Sequence, residues 1–505
     1  MTKRLTAILA ATILAGIITY AVLELQIFPG AISNRIERFC AVNFSPPNKV
    51  YIQKGIENPY TTLQLEMAAV RCKEHHRETI QIKSREFLFH NGDVYWHDKI
   101  TFKDGAENLN YVINYEGING TLTYYNESAG KWEEQKLASG NLPVTDLFLT
   151  IDNKHIILNQ PFLYQDLGQG VVKALDHLSG KIKVTKTARG FKLELFFLNK
   201  PGTWGEIWAL ESDSPLIDWD YGSIKQIWPG YSYVKENRWL MNGAYYTTPA
   251  TYTPCERNSY WKHPGGYIVS GFIQTGGSRA ADDLGYAQLY IQAQNMEKEG
   301  YIKSHPRSNW LYEEYGIKAG FCDTRFNTDL GILFIEAYKK FGEEKFLDYA
   351  RQYGNFFKCF AAKHHYSVFD SRGGEGWLVQ DYYHEEENYR LPHSSLNHQL
   401  NEIRFLYKLG KITAEPSWMV LGNRLLKGIE ITCDSWIKED SNLHYCYYAD
   451  GSFGAVDYPY LTYNDLFYLQ ALLKNNTGSS SPYLQKLMAA KKEYMDFNGI
   501  TAYKK

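Results

Sequence analysis

The hydrophobic period of this chain changes at Gly276-Gly277-Ser278, and that change divides it into two kinds of architecture. On the N-terminal side, short runs alternate apolar and polar residues, the pattern of strands that bury one face. Phe87-Leu88-Phe89 and Val94-Tyr95-Trp96 flank the turn residues Asn91-Gly92-Asp93, and 181–186 with 191–198 flank Ala188-Arg189-Gly190. Both read as hairpins. The run 147–151 adds another strand, so a β-sandwich-like domain is predicted over 78–275. On the C-terminal side the period lengthens. Helices are predicted at 280–299, 329–341, 343–360, 394–409, 416–436, 462–474 and 482–497, joined by Gly, Pro, Ser and Asn stops. Antiparallel helices in succession, connected by long aromatic loops, point to an (α/α) toroid over 276–505. The fold class is therefore multidomain α and β.

The N-terminus sets the compartment. Lys3 and Arg4 precede an uncharged stretch at 5–23, long enough as a helix to cross a ~30 Å hydrocarbon layer. A transmembrane signal-anchor over 1–26 is expected, followed by a juxtamembrane linker over 27–77 that holds the extended Ser45-Pro46-Pro47. Flanking cations place the N-terminus in the cytoplasm and the body outside. Cleavage near Ala15 or Ala21 is the competing reading and would make the body secreted.

Composition narrows the partners. A formal net charge of -2 and pI near 6.7 leave no basic footprint for nucleic acid. The 40 Tyr and 12 Trp suit stacking on sugar rings, or equally an aromatic core. Seven Cys form no metal pattern, with neither a C-x-x-C pair nor a His at finger-like spacing, and no cofactor is expected. Outside the cytoplasm, proximity in sequence suggests Cys433 with Cys446 and Cys40 with Cys72 as disulfides.

The segment 377–398 is the densest in polar and aromatic residues and has neither helical nor strand period. Ser394 or Ser395 can cap the helix that follows. Glu385, Glu386 and Glu387 cannot all be buried and ionised. A close pair would raise one pKa into the range of a general acid or base, whereas a solvated acidic loop would do nothing. Tyr383, Tyr389, Arg390, His393 and His398 surround the triplet.

These residues carry a resemblance. Glu386-Glu-Asn-Tyr-Arg-Leu-Pro-His-Ser-Ser-Leu-Asn, followed by Phe405-Leu-Tyr-Lys-Leu, resembles the signature of the D-glucuronyl C5-epimerase C-terminal domain. Gly320-Phe-Cys-Asp-Thr-Arg-Phe-Asn-Thr-Asp-Leu-Gly upstream and Asp457-Tyr-Pro-Tyr-Leu-Thr-Tyr-Asn-Asp-Leu downstream are similar in order and spacing, over roughly residues 280–475. The resemblance implies a toroid behind a β domain that epimerises uronic acid residues of a polysaccharide at C5. It implies Tyr389 and Tyr407 in proton transfer, with Glu387 and Arg390 completing the catalytic set. Arg325, Asn327, Tyr383, Glu386, His393, Asn397, Tyr458 and Asn464 would then bind substrate. Removing a proton alpha to a carboxylate needs a base, an acid and donors for the enolate-like anion. A tyrosine base further needs a nearby cation, for which Arg390 or Arg325 is the candidate.

The chain departs from the family where that pattern has Arg-Trp-Asp-Tyr and two histidines. Here stand Ala455, Val456, Asp457 and Tyr458, then Tyr460 and Thr462. A uronate site loses a cation and two imidazoles by this change. A glycoside hydrolase would instead pair two carboxylates from Asp323, Asp329, Glu386, Glu387 and Asp457. A lyase would share the Tyr, Arg, His and Asn set, and a glycan-binding protein would need none of it. The expected partners are a polysaccharide containing uronate and the membrane through the N-terminal helix, with a homodimer as a further possibility.

Overall fold

The computed structural model describes residues 48–49, 56–57, 61–76, 79–178, 180–231, 237–386 and 388–504. The expected anchor, Ser45-Pro46-Pro47, Cys40 and Glu387 lie outside them. Among the described residues no helix is long and apolar enough to cross a membrane.

The β region contains one large antiparallel sheet with a five-stranded sheet across it. The hairpin read around Asn91-Gly92-Asp93 joins Ile80–Phe89 to Val94–Phe102. That around Ala188-Arg189-Gly190 joins Ile182–Lys186 to Gly190–Phe197. Alternate side chains of the large sheet feed two different cores. Trp96, Ile100, Ile207 and Ala209 point to the small sheet and meet Ile113 and Leu193. Their neighbours Tyr95, Trp208 and Leu210 point the other way and merge with the helical core. Burying both faces explains why Ile207-Trp208-Ala209-Leu210 is apolar throughout, since each such side chain contributes about 1.5–3 kcal/mol of burial.

Two boundaries move. Thr61–Gln64 and Ala68–His76 are strands of the large sheet, so that stretch of the expected linker is folded structure. At the other end, helix α1 (Tyr267–Thr275) begins inside the region expected to be β. Gly266 starts it in the left-handed conformation at φ 63, where a side chain would be strained.

The remaining helices are α2 (Arg279–Ala293), α3 (Asn309–Tyr315), α4 (Thr324–Phe341), α5 (Glu344–Lys363), α6 (Leu396–Thr413), α7 (Pro416–Ile431), α8 (Leu461–Thr477) and α9 (Pro482–Phe497). They form antiparallel hairpins α1/α2, α4/α5, α6/α7 and α8/α9, with α1, α4, α6 and α8 as successive neighbours in an arc. Every inner helix therefore begins at the same end of the arc. The long segments before α4, α6 and α8 gather there and pair into small sheets.

Local chemistry accounts for the shifted helix limits. Helix α4 starts five residues before the predicted 329 because Asp323 caps it, its carboxylate accepting the Phe326 N–H at 3.0 Å. Helix α7 stops at Ile431, and Cys433–Trp436 is a separate 3₁₀ turn. Cys433 and Cys446 are free thiols, contrary to the expected disulfide: one sulfur faces the Tyr483 carbonyl and the other that of Gly454. Strand Glu375–Val379 presses its backbone onto α7. A Cβ on Gly428 would lie 2.3 Å from the Trp377 carbonyl oxygen, so glycine alone permits this contact.

Candidate active site

The N-terminal ends of α1, α4, α6 and α8 meet the incoming loops at a mouth built from acids, imidazoles and aromatic rings. Asp381, which precedes the two-residue strand Tyr382–Tyr383, is fully buried beneath it. It accepts the Ser395 N–H at 2.8 Å and the Ser395 hydroxyl at 2.5 Å. His393 Nε2 stands 3.2 Å from it and His398 Nε2 3.6 Å. Burial pushes the Asp381 carboxyl up, but the His398 and His393 rings and these hydrogen bonds outweigh it, and the net shift is downward. Burial also pushes the His398 imidazole down to about 4, so it sits neutral between Asp381 and the Thr324 hydroxyl, 2.9 Å away. His393 Nδ1 lies 2.7 Å from the Tyr315 hydroxyl, and its Nε2 faces Asp381. This network ties α6, the loop before it and α3 together.

Asp323 is the exceptional carboxyl of the mouth. It is 5% exposed, and burial raises it to about 7. The Phe326 and Arg325 N–H groups pull its pKa down while the Asp381 and Asp329 charges push it up. Its backbone pairs with Tyr382. A side chain that caps a helix would ordinarily be ionised. Here the helix end is sealed by other acids and by rings, so at neutral pH the group can both give and take a proton.

A chain of ion pairs runs along the concave face below. Arg325 grips Asp465 with both terminal nitrogens, at 2.6 and 3.2 Å, and its Nε meets Asp329 at 3.1 Å. Asp329 also accepts from Tyr267 at 3.0 Å and Asn401 at 2.6 Å. Arg404 lies 3.7 Å from Asp465 and bonds Asn401. Burial raises the Asp465 carboxyl, against the lowering pull of Arg325 and Arg404.

Aromatic side chains complete the rim. Trp310 is 45% exposed and packs its inner edge on His393, 5.5 Å between centroids. Tyr458 is 46% exposed and meets Tyr445 edge-on at 5.6 Å. Tyr267, 43% exposed, stands against His263 and Phe326. Tyr252 lies on Trp261 at 5.1 Å. Among the described residues no group of three or more His, Cys, Asp and Glu side chains is arranged to hold a metal ion.

The residues singled out from the sequence separate under this geometry. Tyr407 leaves the site: it is 1% exposed, its ring lies against Gly422 of α7, and its hydroxyl donates to Asn423 at 2.7 Å. Eleven residues into α6, it is about 16 Å from the helix start. Tyr389 packs against the cluster of Leu311, Tyr315, Ile317, Phe321 and Tyr382, its hydroxyl 3.4 Å from the His384 N–H. The two tyrosines therefore do not face a common substrate. Arg390 is exposed and donates to the Glu313 carbonyl at 2.8 Å, away from Tyr407. Glu385 and Glu386 are exposed and paired with Lys303 and Lys318, so the acidic run is a solvated loop where it is described.

Others turn out to support the scaffold. Asn327 clamps Ile302 through both N–H and carbonyl, at 2.7 and 3.0 Å. Tyr383 is wedged among Tyr301, Phe356, Phe360 and His364. Asn464 accepts the Lys504 N–H at 2.9 Å, holding the C-terminal tail. Asp457 forms a buried pair with Lys491 at 2.6 Å. Arg325, His393, Asn397 and Tyr458 do lie at the mouth. Arg325 is nevertheless matched by Asp465 and Asp329, which removes it as a free cation for a uronate or a tyrosine base. Tyr252, Tyr267, Trp310 and Tyr445 were not singled out at all. No local motif marks them, because only the closure of the loops brings them together.

No family model matches the sequence. A search of curated proteins likewise finds no match. Solved structures with loose similarity include a D-mannose isomerase, at TM-score 0.36 and 14% identity over 46% of this chain and 60% of that one. The cellobiose 2-epimerase of Bacillus thermoamylovorans gives TM-score 0.33 and 14% identity over 46% of this chain and 58% of its own. A family 76 glycoside hydrolase from a bovine Bacteroides thetaiotaomicron strain gives TM-score 0.37 and 12% identity over 87% and 77%. This chain thus spans about 60% of the length of the mannose isomerase. Likeness at this level carries no inference about activity.

Proposed function

We propose that the protein is an extracytoplasmic carbohydrate-modifying enzyme in which Asp323 is the proton-transferring residue. The supporting observation is a carboxyl with pKa near 7 at a mouth rimmed by exposed Trp310, Tyr458 and Tyr267. Exposed rings at a polar cleft offer stacking faces to sugar rings. A proton donor matched to neutral pH is what breaking or rearranging a glycosidic centre requires. Asp329, held by Tyr267, Asn401 and Arg325, is the carboxylate nearest in role to a base or nucleophile beside it. Glycoside hydrolysis is the reaction this pair fits best. Protonated Asp323 would give its proton to the leaving oxygen as the glycosidic bond breaks, and water would add to the anomeric carbon while its proton passes to Asp329.

Uronate C5 epimerisation is a second reading, favoured by one observation. Tyr445 and Tyr458 form a hydrogen-bonded phenol pair at the mouth, where Tyr389 and Tyr407 do not. Burial raises both phenols, so they would serve as acids sooner than as bases. Incubation of the full chain with neutral and uronic polysaccharides in deuterated water tests both. New reducing ends, lost in Asp323→Asn, support hydrolysis. Deuterium at C5 without cleavage supports epimerisation, and neither signal with any polymer removes the enzymatic reading.

A further inference from the structure

We infer that the glycan accepted at this mouth is uncharged, so that the site takes neutral hexose units and turns away uronates. This rests on the carbohydrate reading above and deepens it.

What decides is charge balance at the concave end of the arc. Four carboxyl groups, Asp323, Asp329, Asp381 and Asp465, surround the concave end, against the two guanidinium groups of Arg325 and Arg404. Both guanidinium groups are already spent on Asp465, and Arg325 on Asp329 as well. His398 adds no charge, since burial keeps it neutral. Deeper still, burial pushes the Glu402 carboxyl up, and Lys491 is bound to Asp457. On the rim, Lys303 and Lys318 face Glu385 and Glu386. The Arg307 guanidinium lies over Tyr312 at 4.7 Å, and Arg390 is held by the Glu313 carbonyl.

A sugar carboxylate entering between these acids would meet an excess of like charge, with Arg325 and Arg404 already paired to carboxylates. Like charges within 4–6 Å in a partly desolvated site oppose binding strongly. The polar groups that remain for a ligand are neutral: the Tyr445 and Tyr458 hydroxyls and the Asn397 side chain. The Asn397 Oδ1 is buried without a hydrogen-bond partner, on the same face of α6 as Asn401. Amide and phenol groups above aromatic faces match the hydroxyls and apolar ring faces of a neutral pyranose.

The test uses matched polymers: neutral glucan and mannan oligosaccharides, and the same chains oxidised at C6 to uronates. Binding to the full-length Asp323→Asn variant, which keeps an equivalent helix cap, should be at least tenfold tighter for a neutral chain. The gap should narrow in 0.5 M salt. Asp465→Asn, which takes the carboxylate from the terminal nitrogens of Arg325 while Asp329 still holds Nε, should raise affinity for the oxidised chain. If that variant fails to fold, the salt dependence of Asp323→Asn alone decides. Tighter binding of the oxidised form, or binding of neither form, overturns the inference. Neutral binding by wild type without turnover would sink the catalytic reading and leave this one standing.

Discussion

Two buried acid clusters in this molecule have raised carboxyl pKa values, and they could hardly differ more in use. One is the mouth, with Asp323 at about 7. The other lies at the seam between the large sheet and α2, where burial and the Asp93 carboxylate raise Asp283 to about 9. At the seam, Arg279 grips Asp93 with Nε and Nη2, the latter at 2.8 Å, and Asn91 donates to Asp283 at 3.0 Å. All four residues bind one another across the hairpin turn and the first turns of α2. The mouth surrounds its acid with open aromatic faces. A perturbed pKa is therefore a sign of burial first, and of chemistry only where a ligand could reach it.

Asp323→Asn should break this contrast most sharply. Loss of a general acid costs about 10³-fold in kcat/KM, while Asn caps a helix as well as Asp does and should hold the melting temperature. Wild-type activity should fall on the alkaline side near pH 7, as Asp323 loses its proton. Equal activity of wild type and variant across pH would return Asp323 to a capping role only. Because folding raises this pKa above the ordinary 3.8, its contribution to stability is complete below about pH 4 and declines up to pH 7.

The seam should respond in stability alone. Arg279→Ala leaves buried Asp93 unpaired and should cost roughly 2 kcal/mol, discounted for the partial exposure of Arg279. Asp283 binds its proton more tightly when folded, so its contribution falls steadily between about pH 4 and pH 9. Asp283→Asn should flatten thermal stability over that window. A change in turnover from either substitution would show that the seam communicates with the mouth.

Trp310→Ala probes the rim with a smaller effect. Losing one stacking face should raise KM about tenfold and leave kcat nearly unchanged. An equal loss in kcat would place Trp310 in the reaction itself.

The architecture was legible in the sequence wherever period and turn chemistry agreed. Asn91-Gly92-Asp93 marked its hairpin, and Pro482 and Phe497 bound α9 where the pattern put them. Two short or polar elements escaped. Helix α3 has only seven residues, too few for a period, and the start of α4 is Thr-Arg-Phe-Asn-Thr, polar because these side chains bond His398, Asp465, Ile302 and Tyr353. The site was legible only in part, for a related reason. Tyr389 and Arg390 drew notice by lying next to acids in sequence, and Asp323 as one carboxylate among five, whereas Trp310 reaches the ring of Tyr382 only through the folding of separate loops. Arg325 looked like a free cation because its partner Asp465 lies 140 positions away.

Tyr407 offers the finest test of the distinction between mouth and scaffold. Its register in α6 turns it toward α7, where Gly422 leaves room for the ring and Asn423 accepts from the hydroxyl. Burial pushes that phenol up to about 12, so it does not ionise in the working range of pH. Tyr407→Phe keeps the ring and deletes one hydrogen bond, leaving the Asn423 oxygen short of a donor. The expected cost is about 1 kcal/mol of stability, read as a small fall in melting temperature with kcat/KM unchanged. Should activity collapse while the melting temperature holds, proton transfer would have to pass through α6, and the division between a reactive mouth and an inert helical interior would be wrong.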